Sequence, residues 1–429
     1  MILRASTISR GQGPSSVGVK IGYAAGNLGK SVVWASFESF LLFYLVTIAG
    51  VSPLLAGGVL AMMMAWDGTA DILVSWWADR YGRTNILSRL ISWGAPLCGI
   101  SFGLIFVVPQ VAGRWLLIAA IVLCRIGYTL CDVGHNTLLV RVAATPRDGS
   151  TVSGLRLIFS AIGGGLVGLA AAHILAIADR NAQEYVFALF AVIGGLLYLV
   201  CLTVARLVTR HLPTVATGNE TRQSSELWLA LWRNRAFRRI LLLIALQSCL
   251  VPLFGRALPF FGVVHFDDAA WAGRALSIIT VMQALSLLVW MRLAHLWSQS
   301  RILISAHLLM ALALVGMMTM HAAEGALVVA ALIGVAQGGM NMAIWALLAG
   351  SVRSAGPTLT EALPVGTFLA MLKYASGLGN MLLAAVIATQ EPGCMACDDV
   401  SLRVFDIATL CLPLAGSLVI AWIGWRARE

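Results

Sequence analysis

The sequence predicts an all-α membrane protein: twelve transmembrane helices in two six-helix halves, with both termini cytoplasmic. Three observations carry this. Hydrophobic residues make up 59% of the 429 residues and charged residues only 11%, with a mean hydropathy of +0.88; a soluble domain carries about 25% charged residues. Apolar runs of about 20 residues, the length that crosses a bilayer, recur along the whole chain and leave no room for a soluble domain. The longest polar break, 209–236 (RHLPTVATGNETRQSSELWLALWRNRAF), falls at the middle.

The spans are expected at 21–48, 53–78, 86–108, 114–139, 152–176 and 185–208, then at 237–264, 271–296, 302–320, 324–350, 363–389 and 403–426. Residues 1–20 read as a short cytoplasmic tail, because MILRASTISRGQGPSSVG has no apolar stretch of signal-peptide length. This makes 21–208 the first bundle, 209–236 a cytoplasmic loop and 237–426 the second bundle. Orientation follows from the basic residues, which favour cytoplasmic loops. Arg80, Arg83, Arg89, Arg141, Arg147, the cluster from Arg206 to Arg239, Arg292, Arg301, Arg353, Arg426 and Arg428 fall on the side of the tail. Only Arg114, Arg180, Arg274 and Arg403 fall on the other. The +10 net charge is therefore topogenic and needs no nucleic acid partner.

Six cysteines lie in spans and read as small apolar packing groups. Cys394 and Cys397 (EPGCMACDD) fall in the last outer loop, as two plain thiols, a local disulfide, or metal ligands with Asp398 and Asp399. No HExxH and no water-facing cluster of catalytic residues is present, so an enzyme is not expected and no catalytic residue is assigned.

The charges inside the spans carry the chemistry. Asp67 and Asp71 (WDGTAD) are four residues apart on one face of span 2, roughly 5–6 Å from each other. Two carboxylates that close in a low-dielectric site cannot both ionise unpaired. They must hold a cation or a proton, or face a base. At about 1.5 Å per residue, Asp67 lies roughly 21 Å from the outer end of its span, Asp71 and Asp132 about 27 Å, Lys373 about 24 Å and Arg156 about 30 Å. Three acids and one base thus share a level near the midplane, with Arg156 nearby. Such charges cost at least about 2.5–3.5 kcal/mol each on insertion scales and persist where they pair or work. Arg125 alone reads as a packing charge, and His135 as a packing residue rather than a proton relay.

Two further groups stand apart. Glu38 and Arg256 lie about 12–15 Å from the outer ends of spans 1 and 7, either as an outer gate that closes when the carrier faces inward or as separate hydrated charges. Gln337, Asn341 and Trp345 repeat every four residues on span 10. With Trp34, Tyr128 and Tyr374 they form a polar-aromatic surface suited to a neutral or polar organic solute.

A family pattern runs through these residues. After span 2, WWADRYGRTNIL resembles the helix 2–3 loop signature of the major facilitator superfamily, filled by Asp79, Arg80, Gly82 and Arg83. In this reading Asp79 latches helix ends across the two halves on the cytoplasmic side. The strings KIGYAAGNLGK, WDGTAD, YTLCDVGHN, GLRLIFSAIGG and MLKYASGLGN resemble, in order, the glycoside-pentoside-hexuronide:cation symporters. The resemblance implies a cation-coupling site at Asp67, Asp71, Thr129, Asp132 and Lys373. It implies substrate contacts at Ser31, Asp132, Asn136 and Arg156, to which Trp34, Tyr128, Gln337, Asn341 and Trp345 are added as cavity-facing candidates.

Departures are informative. Ser31 stands where sugar-transporting members carry an aspartate, Asn136 where they carry a stacking tryptophan, Ala70 where the cation motif carries asparagine and Leu369 where helix 11 carries threonine. The cation machinery is mostly kept and the sugar-reading groups are largely changed. Because Ala70 supplies no ligand, a proton is favoured over sodium, since it needs only one carboxylate. The expected function is cation-coupled symport of a sugar-like or other small organic solute by alternating access. A carrier for a larger amphipathic ligand, such as a lysolipid, siderophore or drug, is the alternative. No cofactor or resident metal is implied beyond the coupling ion, H+ or Na+. Expected partners are the solute and the lipid bilayer, with the chain a monomer. Arginine dominates over lysine (Lys20, Lys30 and Lys373 only), which suggests a bacterial inner membrane.

Overall fold

The computed structural model describes residues 15–39, 41, 44–45, 53–81, 85–107, 114–175, 177, 179–213, 224–268, 271–355, 359–388 and 399–426. Among them the regular structure is entirely helical. The helices are α1 (Val17–Ser39), α2 (Pro53–Tyr81), α3 (Ile86–Val107), α4 (Arg114–Val142), α5 (Pro146–Leu175) and α6 (Arg180–Thr209). They continue with α7 (Ser224–Arg233), α8 (Arg235–Cys249), α9 (Leu253–Phe266), α10 (Trp271–Leu293), α11 (Gln299–Met318), α12 (Ala323–Ser354), α13 (Ala362–Ala388), α14 (Asp399–Asp406) and α15 (Leu412–Arg426). Among the described residues, nine helical segments are long and apolar enough to cross a membrane. Large apolar side chains such as Leu169, Leu196, Leu312, Val328 and Met381 are exposed on the flanks, as a lipid-facing surface requires.

Two hydrophobic cores organise the bundle. One is built from α1 to α6 around Tyr23, Phe102, Phe106, Phe187 and Tyr198. The other is built largely from α7 to α15 around Phe237, Phe254, Phe261, Trp271 and Trp290. Small exchanges stitch them together: Val140 of α4 belongs to the second core, and Ala349 of α12 and Ala362 of α13 to the first. Across this seam α13 packs on α2 and α12 on α5.

Of the differences from the sequence reading, four have a plain local reason. The fifth span begins at Pro146, not 152. Proline suits the first helical turn, and the Asp148 N–H donates to Thr145 Oγ1 while the Thr145 N–H donates to Asp148 Oδ2, a reciprocal cap. The loop at 209–236 contains α7, whose Leu227 and Leu231, one turn apart, are buried. The seventh span is broken between α8 and α9 at Pro252, which has no N–H to offer the helix. The twelfth opens as α14 and passes through a π turn, Ile407–Cys411, before α15. Pro413 there withholds the N–H that Thr409 would otherwise accept, and a wider turn accommodates the loss.

Candidate functional site

The site grows from three helices that meet at the seam. Gly68 of α2 lies under the Tyr374 ring, and Gly366 of α13 lies against Ser75 and the Asp71 backbone; a Cβ added at Gly366 would come within 2.1 Å of Ser75 Oγ. These two glycines let α2 and α13 approach until their polar faces touch. Lys373 then reaches across the halves. Its Nζ lies 2.6 Å from Asp71 Oδ2 and 3.6 Å from Asp132 Oδ2. Asp71 and Asp132 are buried, so one ammonium serves two carboxylates carried by α2 and α4.

The expected set of three acids and one base, with Arg156 nearby, is corrected here: three bases, Lys373, Lys30 and Arg125, pair with the three acids. Lys30 of α1 pairs with Asp132 Oδ1 at 2.6 Å and donates to Asn136 Oδ1 at 3.2 Å. Arg125 is no mere packing charge. Its Nη2 forms an ion pair with Asp67 Oδ2 and its Nε donates to Asp67 Oδ1 at 3.2 Å, so both carboxylate oxygens face the guanidinium. Arg156 donates to Asn136 Oδ1 and, at 3.3 Å, to Asn27 Oδ1. Lys30, Arg125 and Asn27 were missed, yet one signal was readable. Arg125, Thr129, Asp132 and Asn136 fall at i, i+4, i+7 and i+11, one face of α4. The Thr129 hydroxyl and Asp71 Oδ1 are buried and make no hydrogen bond among the described residues.

The substrate candidates separate. Trp34 is half-buried, and its ring lies 5.9 Å from that of Tyr128 and 6.0 Å from Lys373 Nζ. Trp345 carries the Arg156 guanidinium 4.4 Å from its ring centre and is edge-on to Phe368. Asn341 accepts from Gln247 Nε2 at 3.0 Å, while Gln337 is half-buried one turn earlier. Ser31 is half-buried where α1 crosses Gly163 of α5. Tyr374 is the exception to the expected surface. It is 41% exposed and shares a 2.7 Å hydrogen bond with Thr69, on the flank of α2 away from Asp67 and Asp71. His135 is fixed to α1: its Nε2 lies 2.8 Å from the Tyr23 carbonyl, the Tyr23 hydroxyl donates to its carbonyl at 3.0 Å, and the rings stack at 4.4 Å.

At the end bearing the 79–83 motif the halves are locked. Asp79 caps α13, accepting from the Ala362 and Leu363 N–H groups at 3.1 and 2.5 Å, where a carboxylate is favoured by the helix dipole. Beside it Arg141 of α4 pairs with Glu361 at 2.6 Å, both buried. Arg353 donates to the Val140 carbonyl at 3.1 Å, and Gln299 to that of Pro146 at 2.9 Å. Arg80 is half-buried, with its guanidinium 5.3 Å from the Tyr81 ring centre; Gly82 and Arg83 lie outside the described residues. So do Cys394 and Cys397, and the Glu38 side chain. Its expected partner Arg256 is on α9, against Gly379 of α13.

Comparison with known proteins agrees with this architecture. The family model described as MFS/sugar transport protein matches residues 22–427. "Uncharacterized symporter YnaJ" of Bacillus subtilis is 23% identical over 42% of this chain and 42% of its own. The "Sodium-dependent lysophosphatidylcholine symporter 1" of Xenopus tropicalis is 27% identical over 34% of this chain and 29% of its own. The "Putative glycoside/cation symporter YagG" of Escherichia coli is 24% identical over 41% and 39%. These matches span less than half of each relative. Among solved structures, the E. coli fucose:proton symporter FucP superposes with a TM-score of 0.69 at 13% identity, over 96% of this chain and 97% of that one. The proton:xylose symporter XylE gives 0.61 at 15%, over 96% and 94%. The chain belongs to the MFS/sugar transport protein family of the major facilitator superfamily. It is a multi-pass membrane transporter, not an enzyme.

Proposed function

We propose that this transporter is a proton-coupled symporter of a sugar-like or other small organic solute, working by alternating access. The observation that carries the reading is Lys373, poised between Asp71 at 2.6 Å and Asp132 at 3.6 Å. Lys373 belongs to one half of the seam and both acids to the other. A proton on Asp71 removes one of the two charges that hold the ammonium, so the contact between the halves weakens. The unpartnered Asp71 Oδ1 and Thr129 hydroxyl give that proton a place to bond. Solute binding to Arg156, Asn136, Trp34 and Trp345 on the same level would complete the change, and the halves would rock.

In this reading residues 21–208 and 237–426 are the two six-helix bundles, joined by 209–236, with the tail 1–20 and the C-terminus cytoplasmic. The locked end around Asp79 is then the cytoplasmic gate, closed here, so the carrier faces outward. It works as a monomer in a bacterial inner membrane, with no cofactor beyond its coupling ion.

A second reading, a carrier of larger amphipathic ligands, is favoured by the named activity of the lysophosphatidylcholine symporter relative and by Ser31 and Asn136, where sugar-reading groups are expected. One experiment serves both. Uptake of a panel of glycosides, uronides and lysolipids is measured in proteoliposomes under an imposed pH or sodium gradient, for wild type and Asp71→Asn. Uptake that follows the proton gradient and collapses in Asp71→Asn is expected, and the accepted solute selects between the readings. Uptake driven by sodium at fixed pH and membrane potential would overturn proton coupling.

A further inference from the structure

We propose that Arg125 is a tethered cation: its guanidinium fills the cation position beside Asp67 and so excludes sodium from the site. Asp67 and Asp71 stand one turn apart on α2, and Thr129 and Asp132 about one turn apart on α4, which packs against it; these are oxygen donors of the kind a small monovalent ion takes. Asp67 does not await an ion, however. Both its oxygens face Arg125, and both side chains are buried, at 1% and 5% exposure. The guanidinium is also enclosed by three aromatic rings, with centres 5.2 Å (Trp34), 5.1 Å (Phe37) and 5.4 Å (Tyr128) away. Ring faces attract a cation within about 6 Å. The planar fork matches a carboxylate in two places and is weakly hydrated. Little would be gained by exchanging it for a hydrated ion.

The chemistry of the bases divides the site. A guanidinium in a protein does not deprotonate, so Asp67 carries a permanent partner and takes no part in the transport cycle's proton exchange. Asp71 and Asp132 are held instead by lysines, compact charges on flexible stems, which can let go. The coupling ion is thus set by a residue outside the Asp71–Lys373–Asp132 contact. This inference deepens the proposed coupling, but its test needs neither a solute nor a gradient.

The full-length protein is reconstituted in nanodiscs and its thermal unfolding followed in sodium, lithium or choline chloride at equal ionic strength and pH. Wild type is expected to unfold at one temperature in all three salts. Arg125→Ala is expected to lose stability in choline and to regain it, saturably, with sodium or lithium. Arg125→Ala/Asp67→Asn removes both charges and is expected to fold and ignore the salt. Arg125→Lys keeps a tethered charge and is expected to ignore it too. A saturable sodium shift in wild type overturns the proposal, as does Arg125→Ala that folds without responding to sodium. Should Arg125→Ala fold only when purified in sodium, the proposal stands. Should it fail in every salt, sodium cannot replace the guanidinium and the proposal falls, whether or not the double variant folds. Failure of proton-driven uptake, with these salt effects intact, would overturn the transport reading alone.

Discussion

The two halves of the seam are unequal in charge. Helices α1 to α6 bury Lys30, Asp67, Asp71, Arg125, Asp132 and Arg156; Arg125 pairs with Asp67 and Lys30 with Asp132 within this half, while Asp71 is paired by Lys373. The facing half answers at this level with Lys373 and with neutral groups such as Asn341, which is taken by Gln247 of its own half. The first half therefore holds a pre-assembled polar site, and the second touches it through one ammonium and one aromatic ring, Trp345. A proton or solute bound in the first half can influence the second only through what the second half contacts. Under the proposed function, the coupling then runs through Lys373 and not through the larger number of charges behind it.

The largest expected effect tests this asymmetry directly. Lys373→Ala leaves Asp71 buried without its base, and removing one partner of a buried pair costs about 3–5 kcal/mol. We expect a clear drop in unfolding temperature and loss of gradient-driven accumulation. Lys30→Met is the matched control within the first half, because Asp132 retains Lys373 at 3.6 Å. It should destabilise the protein yet leave gradient-driven uptake measurable. If Lys30→Met abolishes accumulation at unchanged stability while Lys373→Ala does not, the coupling runs inside the first half and the comparison fails.

An intermediate effect is expected at the locked end, where the halves meet as equals. Arg141 and Glu361 form a buried pair across the seam, and neighbouring residues of this kind couple by about 0.5–3 kcal/mol in double-mutant cycles. Arg141→Gln and Glu361→Gln should therefore be non-additive in thermal unfolding. Asp79→Ala removes the cap from α13, a loss of about 0.5–2 kcal/mol, and favours the opened state. The readout is maleimide labelling of Ala349→Cys, since Ala349 is 1% exposed beneath this end. Labelling should quicken in the Asp79→Ala and Arg141→Gln backgrounds. Unchanged labelling would mean that the lock does not hold the seam shut.

Depth was legible in the sequence; the azimuth of one helix against its neighbour was not. Counting residues from span ends puts Asp71, Asp132 and Lys373 on one level, and the structure joins those three. The same count puts Asp67 with them and leaves Arg125 as a packing charge, because a level says nothing about which way a helix is turned. Only the packing of α2 against α4 turns Asp67 toward Arg125. Asp79 was readable because its motif fixes both a position after span 2 and a role at a helix end. Its companions Arg141 and Glu361 were not, since they are 220 residues apart and no local pattern links them. Helix α7 was hidden by the polar composition around it, although Leu227 and Leu231 carry the one-turn spacing that buries them.

Azimuth also sets the smallest prediction. Lys373 and Tyr374 are adjacent on α13, so their side chains leave the helix about 100° apart. The sequence reading gave both to the cavity. In the structure Lys373 points to the buried acids, while Tyr374 rests over Gly68 and bonds Thr69 at 2.7 Å, with 41% of its surface exposed. A hydrogen bond of this kind contributes about 0.5–1.5 kcal/mol, and an exposed one lies at the low end because water can replace it. Tyr374→Phe keeps the ring over Gly68 and removes only that bond. Its unfolding temperature should move little, and proton-driven uptake should stay within about twofold of wild type, which is under roughly 0.5 kcal/mol. Adjacent substitutions of opposite consequence would fix the rotation of α13 functionally. If Tyr374→Phe instead abolished uptake, Tyr374 would have to reach the solute, and α13 would have to turn by about one residue's rotation during the cycle. That turn would draw Lys373 away from Asp71, so the lysine and the tyrosine would then report the same step.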